Sequence, residues 1–116
     1  MITIELPYPP SVNRYWRYFR NRVVVSAEGR AFKEKVLLIL RAMGSRTLEG
    51  PLILRVDLYP PDRRRRDVDN PQKAILDALQ YSGLYRNDSQ IVRLVATRRE
   101  PVPNGKTIVR IQEFKR

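Results

Sequence analysis

Asp67 and Asp69 flank a single valine near the middle of the chain, Lys73 follows four residues after Asp69, and Asp88 stands further on. In an extended stretch, side chains two residues apart point to the same side, so the Asp67 and Asp69 carboxylates can converge on one ion. Asp88 precedes a predicted strand and reaches the same spot if that strand lies beside the one before Asp67. Three carboxylates with open water positions suit a hard cation, Mg²⁺ in the first place and Mn²⁺ as its substitute. Such an ion can activate water and stabilise charge on a phosphodiester in its transition state. Lys73 can balance the carboxylates, orient water or neutralise a transition-state oxygen. Immediately upstream, Arg63, Arg64, Arg65 and Arg66 form a run that would bring phosphate to the metal.

Each feature alone has a plainer role. Asp-x-Asp before a helix is a common capping and dipole feature. A four-arginine run is commonly a solvated patch or a targeting signal. Lys73 can pair with Asp77 at i, i+4, and Asp88 can cap a turn. Their joint occurrence is harder to explain by folding. Acids that repel DNA sit against arginines that attract it, as a metal nuclease requires.

The composition removes most other chemistry. There is no His and no Cys. That excludes Ser-His-Asp and Cys-His catalysis, imidazole and thiolate metal sites, and any disulfide framework. The net charge is +11, and arginine supplies 18 of the 23 cations. Arginine binds phosphate bidentately and stacks on bases, so this excess points to nucleic acid. An arginine-rich codon bias would explain the ratio but not the net charge. One domain spanning residues 1–116 is expected, with 42% hydrophobic residues to build its core. The longest apolar run, residues 36–40, is too short for a bilayer, and no secretory signal is visible. A cytoplasmic protein without membrane contact is the expectation.

These residues need elements to hold them. Ile2, Ile4 and Leu6 alternate as a short strand, ended by Pro7, Pro9 and Pro10. Residues 11–25 read as irregular. Ser26 is the expected N-cap of a helix to about Met43, with Gly44 as its stop and Phe32, Val36, Ile39, Leu40 and Met43 as its apolar stripe. Leu52, Leu54, Val56 and Leu58 mark a strand with one strongly apolar face. Asn70 and Pro71 read as N-cap and first residue of a second helix, buried through Ala74, Ile75, Ala78 and Leu79 and stopped at Gly83. Residues 91–97 and 107–114 read as strands, joined as an antiparallel hairpin by the Asn104-Gly105 turn. The order is β-α-β-α-β-β. The economical architecture is an α/β fold of α+β character, a small mixed β-sheet with two helices on one face.

Between the first strand and first helix, Tyr8, Tyr15, Trp16, Tyr18 and Phe19 interleave with Arg14, Arg17, Arg20 and Arg22. Arginines can hold phosphates while aromatics stack on unpaired bases. Equally, Trp16 and Phe19 can cover an open edge of the core. Asn13 can orient DNA through its amide or cap a turn.

Residues 61–79, PDRRRRDVDNPQKAILDAL, strongly resemble the signature of the RusA family, small Holliday-junction resolvases of bacteria and phages. The resemblance extends over nearly the whole chain. Residues 6–15, LPYPPSVNRY, resemble the family's opening motif. Residues 25–29, VSAEG, fit its first helix start, and residues 87–92, NDSQIV, fit the stretch bearing its third carboxylate. The resemblance implies a Mg²⁺-dependent endonuclease acting on four-way junction DNA as a homodimer, with no small-molecule cofactor. It matches Asp67, Asp69 and Asp88 to the metal-binding catalytic acids and Lys73 to the catalytic lysine. It matches Arg66 to a basic position that handles DNA, and it adds Asn13 to the DNA-binding set of Arg63–Arg66, Arg14 and Arg17. It further implies products with a 5′-phosphate and a 3′-hydroxyl. A physical reason supports the dimer: a four-way junction is nearly two-fold symmetric and needs two cuts in opposing strands, which a C₂ dimer supplies. A metal nuclease of flaps or forks and a non-catalytic DNA-binding module are the competing readings.

Overall fold

The structure, a computed structural model, describes residues 1–115. Along the chain run β1 (Ile2–Leu6), a one-turn helix α1 (Val12–Tyr15), β2 (Trp16–Phe19), β3 (Arg22–Val25), α2 (Ala27–Met43), β4 (Leu52–Tyr59), α3 (Gln72–Tyr81), a 3₁₀ turn (Asp88–Gln90), β5 (Ile91–Arg98) and β6 (Lys106–Glu113). The main sheet has the order β1-β6-β4-β5, while β2 and β3 form a separate ribbon. β4 pairs with β5 in parallel and with β6 antiparallel, so the sheet is mixed as expected.

One face of this sheet carries the core. Ile4 and Leu6, Leu52, Leu54, Val56 and Leu58, and Val109 and Ile111 alternate inward. They meet Phe32, Val36 and Leu40 of α2 and Ala74, Ile75, Ala78 and Leu79 of α3. Both long helices therefore lie on one face. The α2 limits follow local chemistry: Ser26 Oγ accepts the Gly29 N–H at 3.0 Å, and Gly44 closes the helix at φ +66°. Met43, expected in the stripe, lies exposed in the last turn.

Three further expectations need correction. First, residues 11–25 are not irregular; they form α1 and the β2–β3 ribbon, so the observed order has one more helix and a hairpin. Arg20 and Asn21 turn it, both with positive φ, as a two-residue primed turn requires. Second, Asn70 does not cap α3. The residue before the helix is Pro71, in helical conformation, and Asn70 Oδ1 accepts the Val12 N–H at 3.1 Å instead. That bond ties the start of α1 to the loop before α3. Third, β5 and β6 are not a hairpin, because β4 lies between them. Asn104 and Gly105 do turn the chain with positive φ. The connection holding them is anchored across the end of β4, where Arg99 N–H donates to Leu58 O at 2.7 Å and Val102 N–H to Pro60 O at 2.9 Å. Pro101 and Pro103 lack the N–H groups a continuing ladder would use.

Gly29 marks a close approach. A Cβ there would stand 2.6 Å from Tyr15 O and 2.8 Å from Val25 Cγ1, at the root of the ribbon. Gly29→Ala should therefore cost about 1–3 kcal/mol through overpacking. Thermal unfolding checks this, and an unchanged Tm would contradict it.

Candidate active site

The six aspartates divide into two sets of three. Asp57 accepts from Arg99 Nε at 2.9 Å and from Arg110 Nη1 at 2.7 Å. Asp62 accepts from Arg66 Nη1 at 2.6 Å and the Arg64 N–H at 2.9 Å. Asp77 accepts the Tyr15 hydroxyl and lies 3.7 Å from Lys33 Nζ. Asp67, Asp69 and Asp88 are exposed. Among the described residues, their carboxylates have no hydrogen bond or ion pair.

This division removes the plainer roles one by one. Among the described residues no side chain caps α3, and its first turn holds no acid, so Asp67 and Asp69 are not helix caps. Asp77 is occupied by Tyr15 and Lys33, so Lys73 stands exposed without an ion pair among the described residues. Asn87, not Asp88, caps the 3₁₀ turn: its Oδ1 accepts the Ser89 N–H at 2.8 Å while Gln90 Oε1 accepts the Asn87 N–H at 3.1 Å. Asp67, Asp69 and Asp88 are therefore open to a ligand, in a chain with net charge +11.

The loop around the first two acids is held from several sides. Gln72, buried at the start of α3, donates through Nε2 to Val68 O at 2.9 Å, and its own N–H donates to Asp69 O at 3.1 Å. Arg98, at the end of β5, donates to Arg66 O at 2.9 Å. Sequence reasoning missed Gln72, whose one signal was its place in the Asn-Pro-Gln-Lys turn. Val68 and Asp69 form a bend rather than the extended stretch expected.

Asp67 lines a cleft of about 470 Å³ with Tyr8, Arg14, Arg64, Arg65 and Arg66. Arg63 lines a second, of about 380 Å³, with Arg64, Arg65, Arg98 and Arg99. Asn13 and Arg17 share a third with Lys73. The expected DNA-binding residues thus gather around the loop before α3 and its first turn.

Asp88 does not join them. β5 does lie beside β4, but Leu52 pairs with Ile91 and Leu58 with Arg98. Asp88, just before Ile91, is therefore at the start of the parallel pair, whereas Arg66 hangs on Arg98 at its end. Seven residues of strand separate those levels, about 23 Å. Asp88 lies against the far half of α3, where its N–H donates to Gln80 Oε1 at 2.8 Å. Its charge there joins burial, the larger cause, in raising the Tyr85 hydroxyl above the ordinary tyrosine range. Among the described residues, no three carboxylates come close enough to hold one ion. The expectation that Asp88 reaches the Asp67–Asp69 spot thus fails within one protomer.

Electrostatics order the arginine run. The hydrogen bond from Arg66, followed by that from the Arg64 N–H, lowers Asp62 to about 2. Arg66 also lies over the Tyr8 ring, 5.9 Å from its centre. Asp62 is thus the acid that aligns the run, not one that binds metal. A depressed folded pKa means this pair contributes fully above the unfolded carboxylate range and is lost progressively as pH falls from 3.8 through about 2. Carboxyl NMR titration should find Asp62 ionised at pH 3, and Arg66→Ala should return it toward 3.8. Titration near that ordinary value in the wild type would contradict the pairing.

Residues 7–112 match the sequence model of the family described as "Endodeoxyribonuclease RusA". The chain belongs to the RusA family. Crossover junction endodeoxyribonuclease RusA of Escherichia coli K12 is 42% identical over 113 residues, covering 97% of this chain and 94% of that protein. The enzyme of the same name from Shigella sonnei is 41% identical over the same shares. That of Enterobacteria phage 82 is 40% identical over 96% of this chain and 93% of its own. The RusA span contains every site residue named above, and among the described residues no helix is long and apolar enough to cross a membrane.

Proposed function

We propose that this chain is a Mg²⁺-dependent endonuclease that resolves four-way DNA junctions by paired cuts, acting as a homodimer. The observation that carries the reading is the set of three aspartates unpaired among the described residues, in a chain whose other three aspartates are all engaged by cations. Membership of the RusA family, and the name its relatives share, supports junction DNA as the substrate.

The donor set fits a hard cation, since it offers carboxylate oxygen and neither nitrogen nor sulfur. Asp67 and Asp69 would hold the ion. When bound, it would lower the pKa of water and offset charge on the phosphodiester. The distance to Asp88 within one protomer supports a site completed by the partner: Asp88 of a second copy joins Asp67 and Asp69 of the first. A C₂ dimer then builds two equivalent sites, one for each strand.

The chain's own cations do the rest. Arg64, Arg65 and Arg14 hold the backbone in the Asp67 cleft, and Arg66, braced by Asp62 and Tyr8, fixes its approach. Lys73, without a competing carboxylate, stabilises charge on the phosphate as water attacks in line. Departure of the 3′-oxygen leaves a 5′-phosphate and a 3′-hydroxyl that a ligase can rejoin. The test compares a fixed four-way junction, a flap and a duplex under Mg²⁺. Preferential cutting of the junction is expected; preferential cutting of the flap would assign a different substrate. Products carrying 3′-phosphate would overturn the polarity.

A further inference from the structure

The cleft beside Lys73 has a character that phosphate binding does not explain. It is an open groove of about 740 Å³, and Val12, Trp16, Tyr18 and Val23 give it an apolar lining beside the polar Asn13, Arg17 and Lys73. A site for backbone alone has no use for that lining. The β2–β3 register explains how it arises. Trp16 faces Val25 and Tyr18 faces Val23, so these four share one face of the ribbon. Trp16 and Val25 pack against the core at the ribbon's root. Tyr18 and Val23 continue the same face outward, where they are 74% and 60% exposed.

The two aromatics of the outer ribbon differ. Phe19, on the opposite face, is covered by guanidinium groups, Arg17 at 5.1 Å and Arg20 at 5.2 Å from its ring centre. Among the described residues, Tyr18 has no aromatic, cation–π or hydrogen-bond partner. Its ring is free and opens on the same cleft as Lys73.

We propose that the Tyr18–Val23 face is a nucleobase site, which receives a base unstacked at the branch point while Lys73 holds its phosphate. This rests on the junction-cutting reading and supplies its selectivity. Every base has a face that stacks on an aromatic ring. Inside a duplex that face is occupied, whereas at a branch unstacking costs little. The charge around the cleft selects the occupant. Arg14, Arg17, Arg20 and Arg22 stand within nine residues, and residues 11–27 contain no acid. A second copy would bring the same cations against themselves, whereas DNA brings phosphates.

The experiment measures binding of the full chain, without divalent ions, to a synthetic four-way junction and to the same junction with abasic nucleotides at the branch point. Tyr18→Ala should weaken binding to the intact junction roughly tenfold. Tyr18→Phe, which keeps the ring, should bind like wild type. On the abasic junction all three proteins should bind alike. Equal losses on both junctions, or no loss on either, would overturn the base site. Sedimentation of Tyr18→Ala at the wild-type mass is expected; a smaller species would give this face to self-association instead. A wild type that binds the junction no better than duplex is the distinct failure of the functional reading, and the base site falls with it.

Discussion

Asp67→Asn should abolish cleavage and leave junction binding intact or tighter. Asp67 lies in the cleft with Arg14, Arg64, Arg65 and Arg66 and pairs with none of them among the described residues. Its removal therefore breaks no bond that holds the loop, which depends on Gln72, Arg98 and Asp62. On the proposed function, what is lost is a metal ligand. Several kcal/mol of transition-state charge stabilisation corresponds to roughly a thousandfold in rate, at about 1.4 kcal/mol per factor of ten. Binding moves the other way, because a negative charge near phosphate disappears. The measurement is single-turnover cleavage of a fixed junction beside a binding titration without divalent ions. Cleavage within tenfold of wild type would remove Asp67 from the chemistry.

Asp88→Asn should be equally inactive alone, and mixing that protein with the Asp67→Asn protein should restore activity. If each site takes Asp67 and Asp69 from one protomer and Asp88 from its partner, the mixed dimer concentrates both lesions in one site. The other site is wild type throughout. Free exchange at equal amounts makes about half of the dimers mixed, and about a quarter of all sites intact. Those dimers should nick one strand rather than cut two. A site built within one protomer predicts no recovery, since every site would carry one lesion. A mixture that stays inactive, with subunit exchange shown by mass, would contradict the shared site.

Residue identity and local pattern made much of this readable in advance. Ser26 and Gly44 bound α2 by local hydrogen bonding, and the inward residues of β4 and α3 follow from their periods. The ribbon was hidden because Trp16–Phe19 and Arg22–Val25 lack alternation, and the Arg20-Asn21 turn has no glycine. The Asn104-Gly105 turn was legible, but its consequence was not. A turn sets backbone direction, whereas the neighbour of β6 is chosen by burial. Thr107, Val109 and Ile111 are buried between β1 and β4, while β5 stays at the sheet edge with Val92 and Leu94 exposed.

The site shows the same division. Asp67, Asp69, Lys73 and the arginine run are close in sequence, so their proximity is local. The place of Asp88 depends on the direction and register of β5 against β4, which no local pattern carries. A connection through α3 favours a parallel pair. A parallel pair puts the residue before β5 at the level where β4 begins, away from the loop where β4 ends. That single topological step keeps Asp88 away from Asp67 and Asp69 within one chain, and the proposed shared site follows from it.

The most direct measurement labels each strand of a fixed four-way junction in turn and maps the cuts made by the wild-type protein in Mg²⁺. Paired cuts in opposing strands are expected, with 5′-phosphate ends that a ligase reseals. A protein that binds the junction yet cuts no strand with either Mg²⁺ or Mn²⁺ would contradict it.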